Sequence, residues 1–493
     1  MEHPIPRPAV RPTVQDEVAA AASELIGGPA GRRAMPGTDR RNPLRVVALV
    51  MIGMFALGMA QKAPCYDGGW FESPTAQYTH ACYSDIPHLY TGRGFAEGLT
   101  PYFDSLPERI SGGMEYLEYP VLTGLFMQVT AWVTPDSVAQ PERLYWMTNS
   151  GLLMICAVII ALCVSRTHAH RPWDGLLVAL APALALTATI NWDLLAVALT
   201  AAALLMWSRS RPMAAGLLIG LATAAKLYPA LLLGPLFILC LRAGRWRAFG
   251  ATAGAAVAAW LAVNLPVMIG APDGWAKFYT FSEERAVDFG SFWLIIAQRT
   301  ESELGAVNTY ATGLVALGCL ALGVLALRAP RRPRLGQLAF LVVALFIVTN
   351  KVYSPQYVLW LIPLAVLARP RWRDFLIWQT CEVLYFLGIW MYLAYLNSED
   401  HDGLSVDGYQ WAILLHLFGT LWFGAMVIRD IVRPEYDVIR RDGSDDPGGG
   451  VLDGAPDVFT LRRAEVPTAQ PAAYVDWGTR GDTTDPADVS RET

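Results

Sequence analysis

Asp85 is the carboxylate whose neighbours best suit it to act as a base. It sits in Cys82-Tyr83-Ser84-Asp85-Ile86-Pro87-His88-Leu89-Tyr90, inside the one long polar segment between the first two apolar runs. Tyr83, Pro87, His88 and Tyr90 make its surroundings half apolar, and partial desolvation keeps a carboxylate's pKa in a range useful for general-base work. The plainer reading is a solvated loop carboxylate. Glu118-Tyr119-Pro120 opens the next apolar run from the same segment; Glu118 and Tyr119 read either as an interfacial anchor or as further pocket groups.

Lys226 is the natural complement. It lies in Lys226-Leu227-Tyr228-Pro229, between two short apolar stretches, where an ammonium is costly unless it snorkels to water or meets an anion. Pro229 suits the first turn of a returning helix, whose free N–H groups attract negative charge. A lysine beside such a helix end makes a seat for phosphate. Asn350-Lys351-Val352-Tyr353-Ser354-Pro355-Gln356-Tyr357 repeats the device: Ser354 and Pro355 are a helix-start signal, with Lys351, Tyr353 and Gln356 alongside. In the turn Asn191-Trp192-Asp193, Asp193 reads as a cap for the following helix or as a pocket residue with Asn191. His416, alone on the last apolar run, reads more readily as a core residue than as a site residue.

These groups must be positioned by membrane-spanning helices. Of 493 residues, 54% are hydrophobic and 16% charged, and mean hydropathy is +0.33; soluble domains carry about 25% charged residues. Several apolar runs approach the roughly 20 residues needed to cross hydrocarbon. The chain therefore reads as an all-α polytopic membrane protein with 11–13 spans. A net charge of -5 provides no general basic surface and argues against nucleic acid as a partner. Residues 1–40 and 434–493 read as disordered cytoplasmic tails. Residues 41–433 form the membrane domain, and 61–118 its large first outer loop, whose aromatic and polar mixture suits interfacial helices.

Sidedness follows from arginine clusters at 208–211, 242–247, 328–334, 369–373 and 429–433, which the positive-inside tendency places in the cytoplasm. Both termini then lie inside, and Asp85, Lys226 and the 350–357 turn share the outer face. The basic stretch 166–171 does not fit three preceding spans, unless 119–134 dips in and returns. Five of the seven cysteines fall in or beside apolar runs. Cys65 and Cys82 share the outer loop, where they are a disulfide candidate or two free thiols. No phosphate-binding loop, HExxH or Cys–His ligand set is present. These residues demand neither a metal nor a cofactor.

Four features resemble a GT-C superfamily glycosyltransferase, nearest to glycosyltransferase family 87, whose actinobacterial members are polyprenol-phosphate-mannose-dependent mannosyltransferases. They are Tyr-Ser-Asp at 83–85, Glu-Tyr-Pro-Val-Leu at 118–122, Ala-Thr-Ala-Ala-Lys-Leu-Tyr-Pro at 222–229 and Tyr-Ser-Pro-Gln-Tyr at 353–357. Asn191-Trp192-Asp193 stands where many members carry a Gly-Gln turn. The resemblance implies a GT-C-like helical bundle in the plasma membrane, with its active site outside the cell. It implies inverting transfer of a sugar, mannose in those members, from a polyprenyl-phosphate donor to a glycolipid or glycan hydroxyl. Asp85 would be the base, and Lys226, Tyr353, Gln356 and Lys351 would hold the donor phosphate. Tyr83, His88, Glu118, Tyr119, Asn191, Asp193, Tyr228 and His416 are the other pocket candidates. A transporter or flippase of lipid-linked sugars and a non-catalytic envelope scaffold are the competing readings; the absence of an internal repeat and the one-sided polar turns weigh against the transporter.

Overall fold

The computed structural model describes residues 16–33, 42–73, 75–135, 138–441 and 443–461. Among these every regular element is helical. The main helices are α1 (Glu17–Arg33), α2 (Pro43–Gln61), α3 (Asp85–Gly92), α4 (Val121–Trp132), α5 (Pro141–Thr167), α6 (Gly175–Ala179), α7 (Pro182–Thr187), α8 (Asp193–Ser208) and α9 (Pro212–Ala225). They continue as α10 (Leu233–Ala243), α11 (Trp246–Gly270), α12 (Pro272–Glu284), α13 (Phe292–Thr300), α14 (Val307–Arg328), α15 (Leu335–Thr349), α16 (Val358–Ala368), α17 (Trp372–Asn397) and α18 (Val406–Val432).

Six of these, α2, α5, α11, α14, α17 and α18, are long and apolar enough to cross a bilayer. Six shorter apolar helices pack among them, including α4, α8, α9 and α15. The apolar run 174–190 is not one helix. It is broken at Leu180 and Ala181, because Pro182 has no N–H to continue the ladder. With 12 residues, α4 is about 18 Å long at 1.5 Å per residue, too short for a hydrocarbon core roughly 30 Å thick.

Lipid supplies little hydrophobic drive between helices, so close packing must hold them together. α9 and α11 show how. A Cβ at Gly216 would lie 2.2 Å from the Thr252 carbonyl oxygen, and one at Gly220 would lie 2.2 Å from that of Ala256. Only glycine lets these backbones approach so closely, and that approach fixes the end of α9, where Lys226 begins the turn.

Each of α8, α9, α10, α15, α16, α17 and α18 has one end at an arginine-bearing turn and the other toward the polar turns described below. The arginine end is more ordered than composition suggests. The described residues 434–441 and 443–461 are not a loose tail: they form three 3₁₀ turns and return their aspartates to the basic loops. Arg334 and Asp437, both fully buried, pair at 2.7 Å, and the same guanidinium donates to the carbonyls of Leu367 and Ala368 at the end of α16. Arg332 pairs with Asp445 and Asp457, and Arg242 with Asp457. Arg369 is likewise enclosed between Asp374 and Asp430. At the other terminus, α1 lies within the stretch expected to be disordered. Asp16 caps it through Val18 N and Ala19 N, and ties it to the bundle by accepting from Trp372 N at 3.0 Å. The remainder of both expected tails lies outside the described residues.

Gly220→Val should cost about 3 kcal/mol through overpacking, read as a lower melting temperature in detergent, whereas Gly254→Val, where the added carbon meets nothing within 4 Å, should cost little. Asp437→Ala leaves Arg334 buried without its anion and should cost about 3–5 kcal/mol. It should also open residues 434–461 to limited proteolysis.

Candidate active site

The loop segment carrying Asp85, between α2 and α4, is held from four directions. A disulfide joins Cys65 to Cys82. The Trp70 indole donates to the Cys82 carbonyl at 3.0 Å. Lys62, fully buried, donates to the carbonyls of Ala81 and Tyr83 at 3.3 and 3.1 Å. Ser84 caps α3 and also donates to the Thr189 carbonyl at 2.6 Å, while the Asp85 amide donates to the Ile190 carbonyl at 2.7 Å. Asp85 is thereby stitched to the turn that follows α7.

Its carboxylate accepts the Tyr83 hydroxyl at 2.8 Å and faces a cavity of about 640 Å³. Burial raises the Asp85 pKa to about 6, against the pull of the Tyr83 hydrogen bond and the nearby Lys226. Burial and the neighbouring carboxylate push the Tyr83 hydroxyl well up, so it stays protonated and donates. Burial lowers His88 to about 4, leaving it neutral.

Lys226 lines the same cavity. Its ammonium meets Asp193 at 2.7 Å and stands 5.4 Å from the Tyr119 ring centre and 5.9 Å from that of Trp360. Asp193 does not cap α8 with its side chain. Its second oxygen accepts the Trp360 indole at 3.0 Å, and its amide donates to Asn191 Oδ1 at 3.0 Å. One ion pair therefore joins the start of α8, the end of α9 and the face of α16.

Tyr83, Glu118, Tyr119, Asn191 and Gln356 also reach the cavity wall. Glu118 does so in a two-pronged pair with Arg93, both contacts at 2.7 Å. Other candidates lie elsewhere. Tyr353 is fully buried, its hydroxyl 3.1 Å from Glu382 Oε1 and 3.0 Å from the Thr420 hydroxyl. Lys351 turns to the Glu283 carbonyl at 2.8 Å. His88 bonds Gln77 at 2.7 Å, and Tyr228 stacks on Trp360 and reaches Thr200. His416 is a core residue: its Nε2 lies 3.0 Å from the Gly290 carbonyl oxygen and its ring stacks on Tyr385. Tyr353 and Lys351, expected at the donor phosphate, therefore do not line the cavity that Asp85 and Lys226 share. The helix-start signal fixed the turn but not the direction of these two side chains.

Arg285 is the residue that sequence reasoning missed. It lines the cavity with Asp288, which it grips through Nε at 2.8 Å. The loop is registered on the 350–357 turn by Asp288 N to the Lys351 carbonyl and Tyr353 N to the Phe289 carbonyl. Gly290 completes the fit at φ +79°, where a Cβ would meet the Tyr353 carbonyl oxygen at 2.0 Å. Nothing in the mixed polar stretch 271–307 marks Arg285 out; only its contact with the second turn does. Among the described residues no group of three or more metal-ligating side chains converges.

The arrangement is that of a polytopic all-helical membrane protein with a cavity near its helix ends that combines three carboxylates (Asp85, Glu118 and Asp288), two cations (Lys226 and Arg285) and several aromatic rings. Over residues 116–349 the chain matches the model for Glycosyltransferase family 87, and over that stretch it is family 87-like; a membrane glycosyltransferase is the class that this match and the site support. Lys226 and Arg285 lie within the matched stretch, Asp85 and Gln356 outside it. The crystal structure of ArnT from Cupriavidus metallidurans bound to undecaprenyl phosphate aligns at a TM-score of 0.41, with 15% identity, over 77% of this chain and 77% of that one. The apo crystal structure of the Archaeoglobus fulgidus oligosaccharyltransferase aligns at 0.37, with 11% identity, over 79% of this chain and 55% of that one. No curated protein matches the chain.

Since the disulfide closes the loop that presents Asp85, Cys82→Ala or a reductant should lower stability by about 2–4 kcal/mol. A melting curve with and without reductant would show the shift in the parent protein and none in the variant.

Proposed function

We propose that the protein is an inverting glycosyltransferase that moves a sugar, mannose by its resemblance to the actinobacterial members, from a polyprenyl-phosphate donor to an acceptor hydroxyl on the outer face of the plasma membrane. The observation that carries this reading is the meeting of Asp85, Lys226 and Arg285, from three distant parts of the chain, on one cavity. A transferase of this kind needs a base for the acceptor and fixed positive charge for the departing phosphate. This cavity provides both kinds of group.

Asp85 takes the proton from the acceptor hydroxyl as that oxygen bonds to the anomeric carbon. The bond from that carbon to the phosphate oxygen breaks on the opposite face, through an oxocarbenium-like transition state, and the phosphate leaves with the bonding electrons. Lys226 and Arg285 stabilise its growing charge, with Gln356 as a neutral donor beside them. Asp193 and Asp288 hold the two cations in place before the donor arrives, so little reorganisation accompanies the reaction. Tyr83 keeps the Asp85 carboxylate oriented.

The membrane arrangement follows from the same reading. If α4 dips in and returns, α5 carries the chain inward and residues 166–171 join the other arginine clusters in the cytoplasm. The broken α6–α7 pair then serves as one crossing. With the 3₁₀ turns Tyr228–Leu232 and Pro355–Tyr357 lengthening α10 and α16, this reading gives twelve crossings and one re-entrant helix, with both termini inside and every cavity residue outside. Donor lipid and glycolipid or glycan acceptor would both reach the site from the outer leaflet.

Asp85→Asn should reduce transfer from a polyprenyl-phosphate sugar by purified protein by about 10²–10⁴-fold, with expression and melting temperature little changed. Because the base must be ionised, kcat/KM should rise about tenfold per pH unit below about 6 and level off above it. Full activity in the asparagine variant would remove Asp85 from its role. A wild-type protein that transfers from no polyprenyl-phosphate sugar would overturn the reading.

A further inference from the structure

About two turns before Ile389, which lines the cavity, α17 carries Glu382. It is buried, as is His416 opposite it on α18. A carboxyl group inside a membrane-spanning helix is costly and points to a functional role. One of its oxygens, Oε1, accepts from the Tyr353 hydroxyl at 3.1 Å, the Trp378 indole at 3.0 Å and the Thr420 hydroxyl at 3.1 Å. The other, Oε2, has no hydrogen-bond partner among the described residues, and neither has His416 Nδ1, 3.7 Å from it. Buried polar atoms are ordinarily satisfied. These two face each other, so a proton held between them serves both. The second ring nitrogen has a fixed role. A carbonyl oxygen has no hydrogen to give, so His416 Nε2 donates to the Gly290 carbonyl 3.0 Å away. Tyr353 and Tyr385 flank the imidazole, with ring centres 4.1 and 3.8 Å from its own.

We propose that His416, oriented by Glu382, is a positioning residue for sugar transfer: it fixes Gly290, through Gly290 it fixes Asp288, and through Asp288 it fixes Arg285. The inference rests on the glycosyltransferase reading above and adds to it the buried pair that sets one of the two phosphate-facing cations. Gly290 is where the cluster meets the site. Its carbonyl accepts from His416 and its amide donates to the Tyr409 hydroxyl at 3.0 Å. Both polar atoms of this residue are thus held from α18. Asp288, two residues earlier, grips Arg285 through Nε at 2.8 Å and is tied by its own amide to the Lys351 carbonyl at 2.9 Å. A cation serves a developing charge best when it need not move as the charge appears. Aromatic stacking alone would account for a ring between Tyr353 and Tyr385. It would not account for the direction of Nε2 or for a carboxyl oxygen left facing Nδ1.

The test compares two replacements in the purified full chain, with polyprenyl-phosphate mannose as donor and an alkyl mannoside as acceptor. His416→Phe keeps a ring between the tyrosines and removes the donor to Gly290. His416→Gln removes the ring and brings an amide N–H within reach of that carbonyl. If His416 positions Arg285, the phenylalanine variant should lose about 10–100-fold in kcat, with both KM values within about twofold, and the glutamine variant should recover most of the loss. Packing alone predicts the opposite order. In an Arg285→Ala background, His416→Phe should cost no more than about twofold further, because the group it acts through is already gone. Should His416→Phe fail to fold, Tyr409→Phe, which frees only the Gly290 amide, should lower kcat by about threefold or more and show the same dependence on Arg285. An unchanged kcat in the phenylalanine variants, higher activity in His416→Phe than in His416→Gln, or an equal loss with and without Arg285 would overturn the positioning role while leaving glycosyl transfer intact. No transfer by the wild type would instead bring down the underlying glycosyltransferase reading.

Discussion

An ammonium placed among apolar helices must find a negative partner, and the pairing of Lys226 with Asp193 meets that requirement. Taking both charges out of water is costly, and the pair endures because its remaining hydrogen-bonding capacity is used. Asp193 also receives the Trp360 indole, and the ammonium stands over the faces of Tyr119 and Trp360. The residues that satisfy this charge come from the starts of α8 and α16, the end of α9 and the approach to α4. Those elements could not separate without stranding it. The cavity is therefore a consequence of how the bundle copes with one lysine, and its electrostatics are set before any ligand enters.

The Asp85 carboxylate is delivered by different means. Asp85 opens the short helix α3 within the long segment between α2 and α4, where apolar packing alone is a weak constraint. Covalent and backbone links supply what packing lacks: a disulfide, a buried lysine binding two carbonyls, and two hydrogen bonds onto the turn after α7. That turn leads directly through Asn191 to Asp193. The carboxylate and the lysine are thus referenced to a single short stretch of chain. Arg285 is referenced differently, through backbone bonds between the 288–290 loop and the 351–353 turn. That side of the cavity is defined by the meeting of two loops.

Much of this was legible in the sequence, and what was not has physical causes. Charge is scarce in the apolar stretches, so Lys226 and the arginine clusters stand out, and the helices appear close to where hydropathy places them. Asp85 was legible through its aromatic, proline-braked setting. Turn signals located the 350–357 stretch but could not say which side chains face inward: Gln356 reaches the cavity, while Tyr353 and Lys351 turn to Glu382 and Glu283. Arg285 was hidden among other charged residues in a stretch without periodicity. Its place depends on Asp288 and a carbonyl more than sixty residues away. The run 174–190 looked continuous because hydropathy does not register the amide that Pro182 lacks. Residues 434–461 looked like a tail because their order comes from Arg242, Arg332 and Arg334, which a local window cannot include.

The folding of that carboxy-terminal segment onto the basic loops has a consequence for the order of events during synthesis. Its aspartates are made after the arginines they neutralise. While the preceding helices emerge, Arg242, Arg332 and Arg334 are without these partners. Once the segment arrives, the same guanidiniums are enclosed and paired, Arg334 with the buried Asp437 and Arg332 and Arg242 with the half-buried Asp445 and Asp457. These arginines therefore wait, as the chain grows, for partners made last, and a protein truncated before Asp437 would keep the guanidiniums and never make the fastenings.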